Sequence, residues 1–146
     1  MKIYMAGPLF STAELAFNSE FAGLLRAQGH EVFLPQEQEP RKDLPKAIFE
    51  IDLGGLDWAD GVVACLDGAD PDSGTCWELG YAYAKGKLSI VYRTDFRLFE
   101  GNDPINLMMT ESADHVIIMP MAKVADLAAE IGTLLGSPMR AGSTMG

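Results

Sequence analysis

Six consecutive positions, Gly61-Val62-Val63-Ala64-Cys65-Leu66, carry no charged or strongly polar side chain. A strand with one wet face alternates apolar and polar residues, so an unbroken apolar run predicts a strand covered on both faces. Strands of this kind belong to parallel sheets with helices packed above and below. Four more short apolar runs flank it: Lys2–Ala6, His30–Leu34, Leu88–Tyr92 and His115–Met119.

Amphipathic segments fill the gaps. In Thr12–Gln28 the residues Phe17, Phe21, Leu24 and Leu25 recur at helical spacing. Ser11 or Thr12 can cap this helix and Gly29 can close it. After the polar loop Gln36–Lys42, Asp43 can cap a second helix with Pro45 in its first turn. Ile48, Ile51, Leu53 and Leu56 give that helix an apolar side, while Gly54-Gly55 weakens its middle. A third helix is predicted over Thr75–Lys85 and a last one over Lys123–Leu135, closed by Gly136. Thr94–Asp114 is long and polar, with room for one or two short turns.

Strand–helix alternation at these spacings implies parallel strands joined by right-handed crossovers. The predicted fold class is α/β: a doubly wound, five-stranded parallel sheet of flavodoxin-like order 2-1-3-4-5, with helices on both faces. One domain is expected over residues 1–136, followed by a loose tail, 137–146. Ligands of such sheets bind at the carboxyl ends of the strands, near the switch between strands 1 and 3. That gathers Ala6–Phe10, Pro35-Gln36 and Asp67–Glu78 around one cleft.

Charge narrows the partners. With 21 acidic and 11 basic residues the formal net charge is -10, which argues against nucleic acid and anionic membrane. No apolar stretch approaches membrane-spanning length, and the first run, ended by Gly7-Pro8, does not resemble a signal peptide. The two cysteines, Cys65 and Cys76, lack the spacing of a zinc site and read as reduced, partly buried thiols, which fits a cytoplasmic setting. His30 and His115 stand alone, so a histidine metal site or a Ser-His-Asp triad is not expected. The glycine-rich dinucleotide fingerprint and the phosphate loop are absent.

Three carboxylates are expected in the cleft: Asp67, Asp72 and Glu78. Like charges at short range resist joint ionisation, so one carboxyl would hold a proton while Glu78, near a positive helix end, would stay ionised. Such a pair can serve as nucleophile and acid in glycosidic bond cleavage. The same residues also fit plainer roles. Thr75-Cys76-Trp77-Glu78 matches a capping box, and Asp70-Pro71-Asp72-Ser73-Gly74 is an ordinary turn sequence. Tyr4 can aim a phenol into the cleft or serve as a core residue. Phe10 can wall a flat ring or cover the core. Gln36 can read the edge of a base or face solvent.

Taken together, Ile3-Tyr4-Met5-Ala6-Gly7-Pro8-Leu9-Phe10, Val32–Gln36, Leu66-Asp67-Gly68 through Asp72–Ala82, and Asn106-Leu107-Met108 resemble the nucleoside 2-deoxyribosyltransferase family. The resemblance implies an enzyme that exchanges the base of 2′-deoxynucleosides for a free purine or pyrimidine base. It implies a covalent deoxyribosyl-Glu78 intermediate with retention, and no cofactor or metal. It further implies that Asp67 protonates the departing base, Tyr4 orients Glu78 and Gln36 holds the base. Asp72 would bind a sugar hydroxyl, with Gly7 and Phe10 also on the substrate side. Asn106 and Met108 would complete the site of a neighbouring subunit in a homo-oligomer. Two alternatives remain open: a 2′-deoxynucleoside 5′-monophosphate N-hydrolase, which needs a phosphate pocket near the first turn, and a non-catalytic nucleotide-binding module.

Overall fold

The computed structural model describes residues 1–38, 44–97 and 104–136. Five strands, β1 (Lys2–Ala6), β2 (Glu31–Phe33), β3 (Gly61–Cys65), β4 (Leu88–Arg93) and β5 (His115–Ile118), form one sheet. All neighbours are parallel and the order is β2-β1-β3-β4-β5, as the alternation predicts. The helices are α1 (Thr12–Ala27), α2 (Pro45–Trp58), α3 (Ser73–Ala84), α4 (Leu107–Ser112) and α5 (Val124–Leu135), with a 3-10 turn at Pro35–Glu37.

The pleat of the central strands sorts their side chains into two cores. Ile3, Met5, Val63, Cys65, Ile90 and Tyr92 point to one face, where Phe21 and Leu25 of α1 and Leu127 and Ile131 of α5 cover them. Tyr4, Ala6, Val62, Ala64 and Val91 point to the other, beneath Leu56 of α2 and Leu79 and Ala82 of α3. All five residues of β3 are buried, so the run without alternation is indeed covered on both sides. Each large aliphatic side chain buried this way contributes about 1.5–3 kcal/mol.

Local signals set the helix ends. Of the two candidate caps for α1, Ser11 does the work: its Oγ accepts from Glu14 N at 3.2 Å, and the Glu14 carboxylate accepts from Ser11 N at 2.8 Å and from Phe10 N at 2.7 Å. Gly29 follows with φ +90°, the left-handed conformation that ends a helix without strain. The predicted cap of α2, Asp43, lies outside the described residues, as does the 137–146 tail. Gly54-Gly55 does not interrupt α2, because tertiary packing uses it: a Cβ on Gly55 would stand 2.7 Å from the Phe33 ring. Ile51, expected on the apolar side of α2, is exposed, since the buried face runs through Leu56 and Gly55. Gly7 is equally constrained, with a Cβ there falling 3.0 Å from that of Cys65.

The loop after β3 is held from inside the protein. Arg93, the last residue of β4, is 1% exposed, and its guanidinium donates to Leu66 O (2.7 Å), Gly68 O (2.9 Å) and Arg97 O (2.8 Å). The apolar run alone predicts a strand ending at Tyr92, one residue short of the clamp.

Candidate active site

Helix α3 begins two residues before its predicted start, which takes Glu78 out of its cap. The N-cap is Asp72, whose Oδ2 accepts from Thr75 N at 2.9 Å and from Thr75 Oγ1 at 3.1 Å. Thr75 is therefore inside the helix and forms no capping box with Glu78. Glu78 sits in the second turn, and its Oε1 accepts from the Tyr4 hydroxyl at 2.7 Å. Tyr4 is fully buried on β1 and stacks on Phe33, ring centroids 5.3 Å apart. Phe33 in turn lies over the bare backbone of Gly55. A rigid series of contacts thus runs from α2 through β2 and β1 to Glu78.

Glu78 shares a cavity of about 260 Å³ between α2 and α3 with Phe49, Asp52, Leu53, Leu56, Gly74 and Trp77. Burial in this apolar setting pushes the Glu78 carboxyl up to about 7, aided by the negative charge of Asp52 and Asp72 and opposed by the Tyr4 hydrogen bond. The sequence expectation was an ionised Glu78 stabilised by the helix end. The helix field fades beyond the first turn, and Glu78 lies past it, so desolvation wins. Burial also raises the Asp52 carboxyl above its ordinary value, and it holds the Tyr4 phenol far into its neutral form. Asp52 was not singled out in the sequence. The available signal was an acid on the apolar side of a helix, three residues after Phe49 and four before Leu56.

The expected trio of carboxylates is not assembled as foreseen. Asp67 turns to the β4 exit, where it accepts from Thr94 N (2.6 Å), Asp95 N (2.9 Å) and the Thr94 hydroxyl. It lines a second, larger cavity of about 560 Å³ on the other side of the α3 start, together with Phe10, Glu14, Asp70, Asp72, Asp95 and Arg97. Asp72 belongs to that cavity and also acts electrostatically on Glu78, so it stands between the two spaces.

The remaining predicted residues are spread around this centre. Gln36 binds α1: its Nε2 donates to Leu15 O and Ser19 Oγ, both at 2.9 Å, and its Oε1 accepts from Asn18 Nδ2 at 3.0 Å. Those bonds use both amide hydrogens and direct the side chain at the helix. Phe10 is 75% exposed at the mouth of the larger cavity. Asn106 caps α4 by accepting from Met108 N at 2.9 Å, and Met108 is 64% exposed. Cys65 is a buried free thiol and Cys76 a partly buried one. Among the described residues no three His, Cys, Asp or Glu side chains are placed to share a metal ion. No helix among them is long and apolar enough to cross a membrane.

Fold and site together define a doubly wound α/β protein with a phenol-bound carboxyl in an apolar cavity beside the sheet switch. The chain belongs to the nucleoside 2-deoxyribosyltransferase family, whose profile matches residues 3–117. A 2-deoxyribosyltransferase from Bacillus psychrosaccharolyticus is 31% identical, with a TM-score of 0.70 over 88% of this chain and 90% of that one. A conserved protein from Enterococcus faecalis superposes with a TM-score of 0.75 at 28% identity, covering 92% and 98% of the two chains. An uncharacterized protein of Schizosaccharomyces pombe is 30% identical over 109 residues, 66% of this chain. The chain spans about half, 52%, of the length of that relative.

Proposed function

We propose that this chain exchanges the base of 2′-deoxynucleosides by double displacement on Glu78. One observation carries the reading: the Tyr4 hydroxyl fixes Glu78 Oε1 at 2.7 Å in an apolar cavity that also holds Asp52. In the first step the Glu78 carboxylate attacks C1′ and the C1′–N bond breaks. A proton from Asp52 passes to the departing base, turning a poor leaving group into a neutral one. In the second step a nitrogen of the incoming base attacks C1′ from the vacated side. The ester bond to Glu78 breaks, and the base's proton returns to Asp52. Two inversions give retention.

Asp52 takes the proton-donor role that the resemblance alone had put on Asp67. Asp52 lies in the same cavity as Glu78, and burial raises its carboxyl above its ordinary value, whereas Asp67 is occupied by Thr94 and Asp95. Asp72, facing the larger cavity, is suited to a sugar hydroxyl. Asn106 and Met108, on the exposed face of α4, would complete the site of a second copy in a homo-oligomer.

The start of α1 speaks against a 5′-monophosphate substrate. A helix start binds phosphate through free amides, and here those of Phe10 and Ser11 already bond the Glu14 carboxylate. The test is incubation with deoxyadenosine or thymidine and a different free base. A new deoxynucleoside is expected. Free deoxyribose as the sole sugar product would indicate a hydrolase, and no reaction a binding module.

A further inference from the structure

We propose that Arg93 is a positioning residue for the exchange reaction: through the loop between β3 and α3 it sets where Asp72 stands, and so how tightly the deoxyribose is held. This role rests on the proposed reading of Glu78 and Asp72, although Arg93 itself lines neither cavity. A guanidinium only 1% exposed is costly unless its bonds need that group. Among the described residues Arg93 enters one ion pair, with Asp95 at 3.9 Å, and shares that carboxylate with Arg97. Its Nε has no hydrogen-bond partner among them. Its charge is therefore poorly compensated, and its value lies in its shape. The planar fork joins Leu66 O and Gly68 O on one loop to Arg97 O on the next, a fixed geometry that an ammonium lacks.

The two loops are bonded in the other direction as well. Asp67, between the two clamped carbonyls, accepts from Thr94 N and Asp95 N, and Gly68 N donates to Asp95 Oδ2 at 3.2 Å. From this anchor to Asp72 the chain has little freedom. Gly68 takes φ +112°, and a Cβ on it would stand 3.0 Å from Asp70 O, so the turn there is tightly closed. Pro71 has its φ fixed by its ring, and Asp72 follows as the cap of α3. Asp72 lines the larger cavity and its charge reaches Glu78. A shift of the anchor therefore changes what meets the sugar while leaving Glu78, held by Tyr4, in place.

The test is a double-mutant cycle in the exchange assay, with 2′-deoxyadenosine as donor and a different free base as acceptor. Arg93→Lys keeps the charge and loses the fork. Asp72→Ser keeps a capping oxygen on a shorter side chain. Donor KM should rise about 10- to 100-fold in Asp72→Ser and about 5- to 20-fold in Arg93→Lys, with acceptor KM near wild type. The double variant should be no worse than Asp72→Ser alone, because Arg93 acts through Asp72. Gly68→Ala strains the same tether without removing the buried cation; it should show the same pattern, and it carries the test if Arg93→Lys does not fold. A role confined to holding the fold would move both KM values or neither, and would add to the Asp72→Ser effect. Effects that multiply, or a donor KM unmoved in the folded variant, overturn the assignment. If the wild type exchanges no base, the proposed reaction fails, and calorimetric binding of 2′-deoxyadenosine to the same variants judges Arg93: non-additive losses uphold its role, and additive losses or no binding overturn it.

Discussion

Replacing Glu78 by glutamine should make this protein more stable above neutral pH while abolishing exchange. Glutamine keeps an oxygen to accept the Tyr4 hydrogen bond but cannot ionise. In the wild type the folded carboxyl titrates at about 7 against an ordinary value of 4.5. The folded state therefore binds more protons between those values, and stability falls as pH rises from about 4.5 to 7, then levels off. The full displacement corresponds to about 3 kcal/mol. The side chain keeps some solvent contact, which reduces this to about 1–3 kcal/mol. For a chain of this size that is about 2–10 °C in Tm. Asp52 carries its own burial penalty in both proteins, so it largely cancels in the comparison. The assay is thermal unfolding of wild type and variant from pH 5 to 8.5. The two should nearly coincide at pH 5 and separate as pH rises, the variant melting higher. Parallel curves, or a variant less stable throughout, would refute the claim that Glu78 is held against the cost of burying its charge.

Other substitutions separate the remaining roles. Tyr4→Phe removes the hydrogen bond that favours the Glu78 anion, so the acidic limb of the exchange rate should move to higher pH; a rate loss uniform from pH 6 to 8.5 would contradict this. Asp52→Asn should lower exchange by about 10²-fold or more at pH 7. Asp67→Asn should instead weaken the Thr94 and Asp95 contacts and lower the urea midpoint, while kcat per folded molecule stays near wild type. Gly55→Ala places a methyl against the Phe33 ring and should destabilise by about 1–3 kcal/mol in urea unfolding, with unchanged stability the result that would count against the packing argument.

The sheet was legible because the strand at Gly61–Cys65 has no polar alternation and the four longer helices announce themselves by spacing, whereas the short α4 does not. Parallel order followed from those two facts. Glu78 and Tyr4 were legible as candidates, but their pairing is a tertiary event between residues 74 positions apart. Two overlapping cap signatures, Asp72 with Thr75 and Thr75 with Glu78, are indistinguishable by spacing. The Tyr4 hydroxyl takes Glu78 and thereby decides between them. Asp52 escaped notice because one acid among Ile51, Leu53 and Leu56 reads as ordinary amphipathic scatter. Its meaning appears only when α3 is laid alongside. Asp67 does stand in the cleft at a strand end, but its bonds to Thr94 and Asp95 are tertiary and not written in local spacing.

The stack of Gly55, Phe33 and Tyr4 behind Glu78 also has a consequence for divergence. A larger residue at 55 leaves no room for a ring at 33, and a smaller one at 33 leaves the Tyr4 ring without its support. These positions cannot drift independently. Among descendants of this chain that keep the phenol–carboxyl pair, a gain of volume at 55 should arrive together with a loss at 33. That paired exchange would be visible in gene sequences alone.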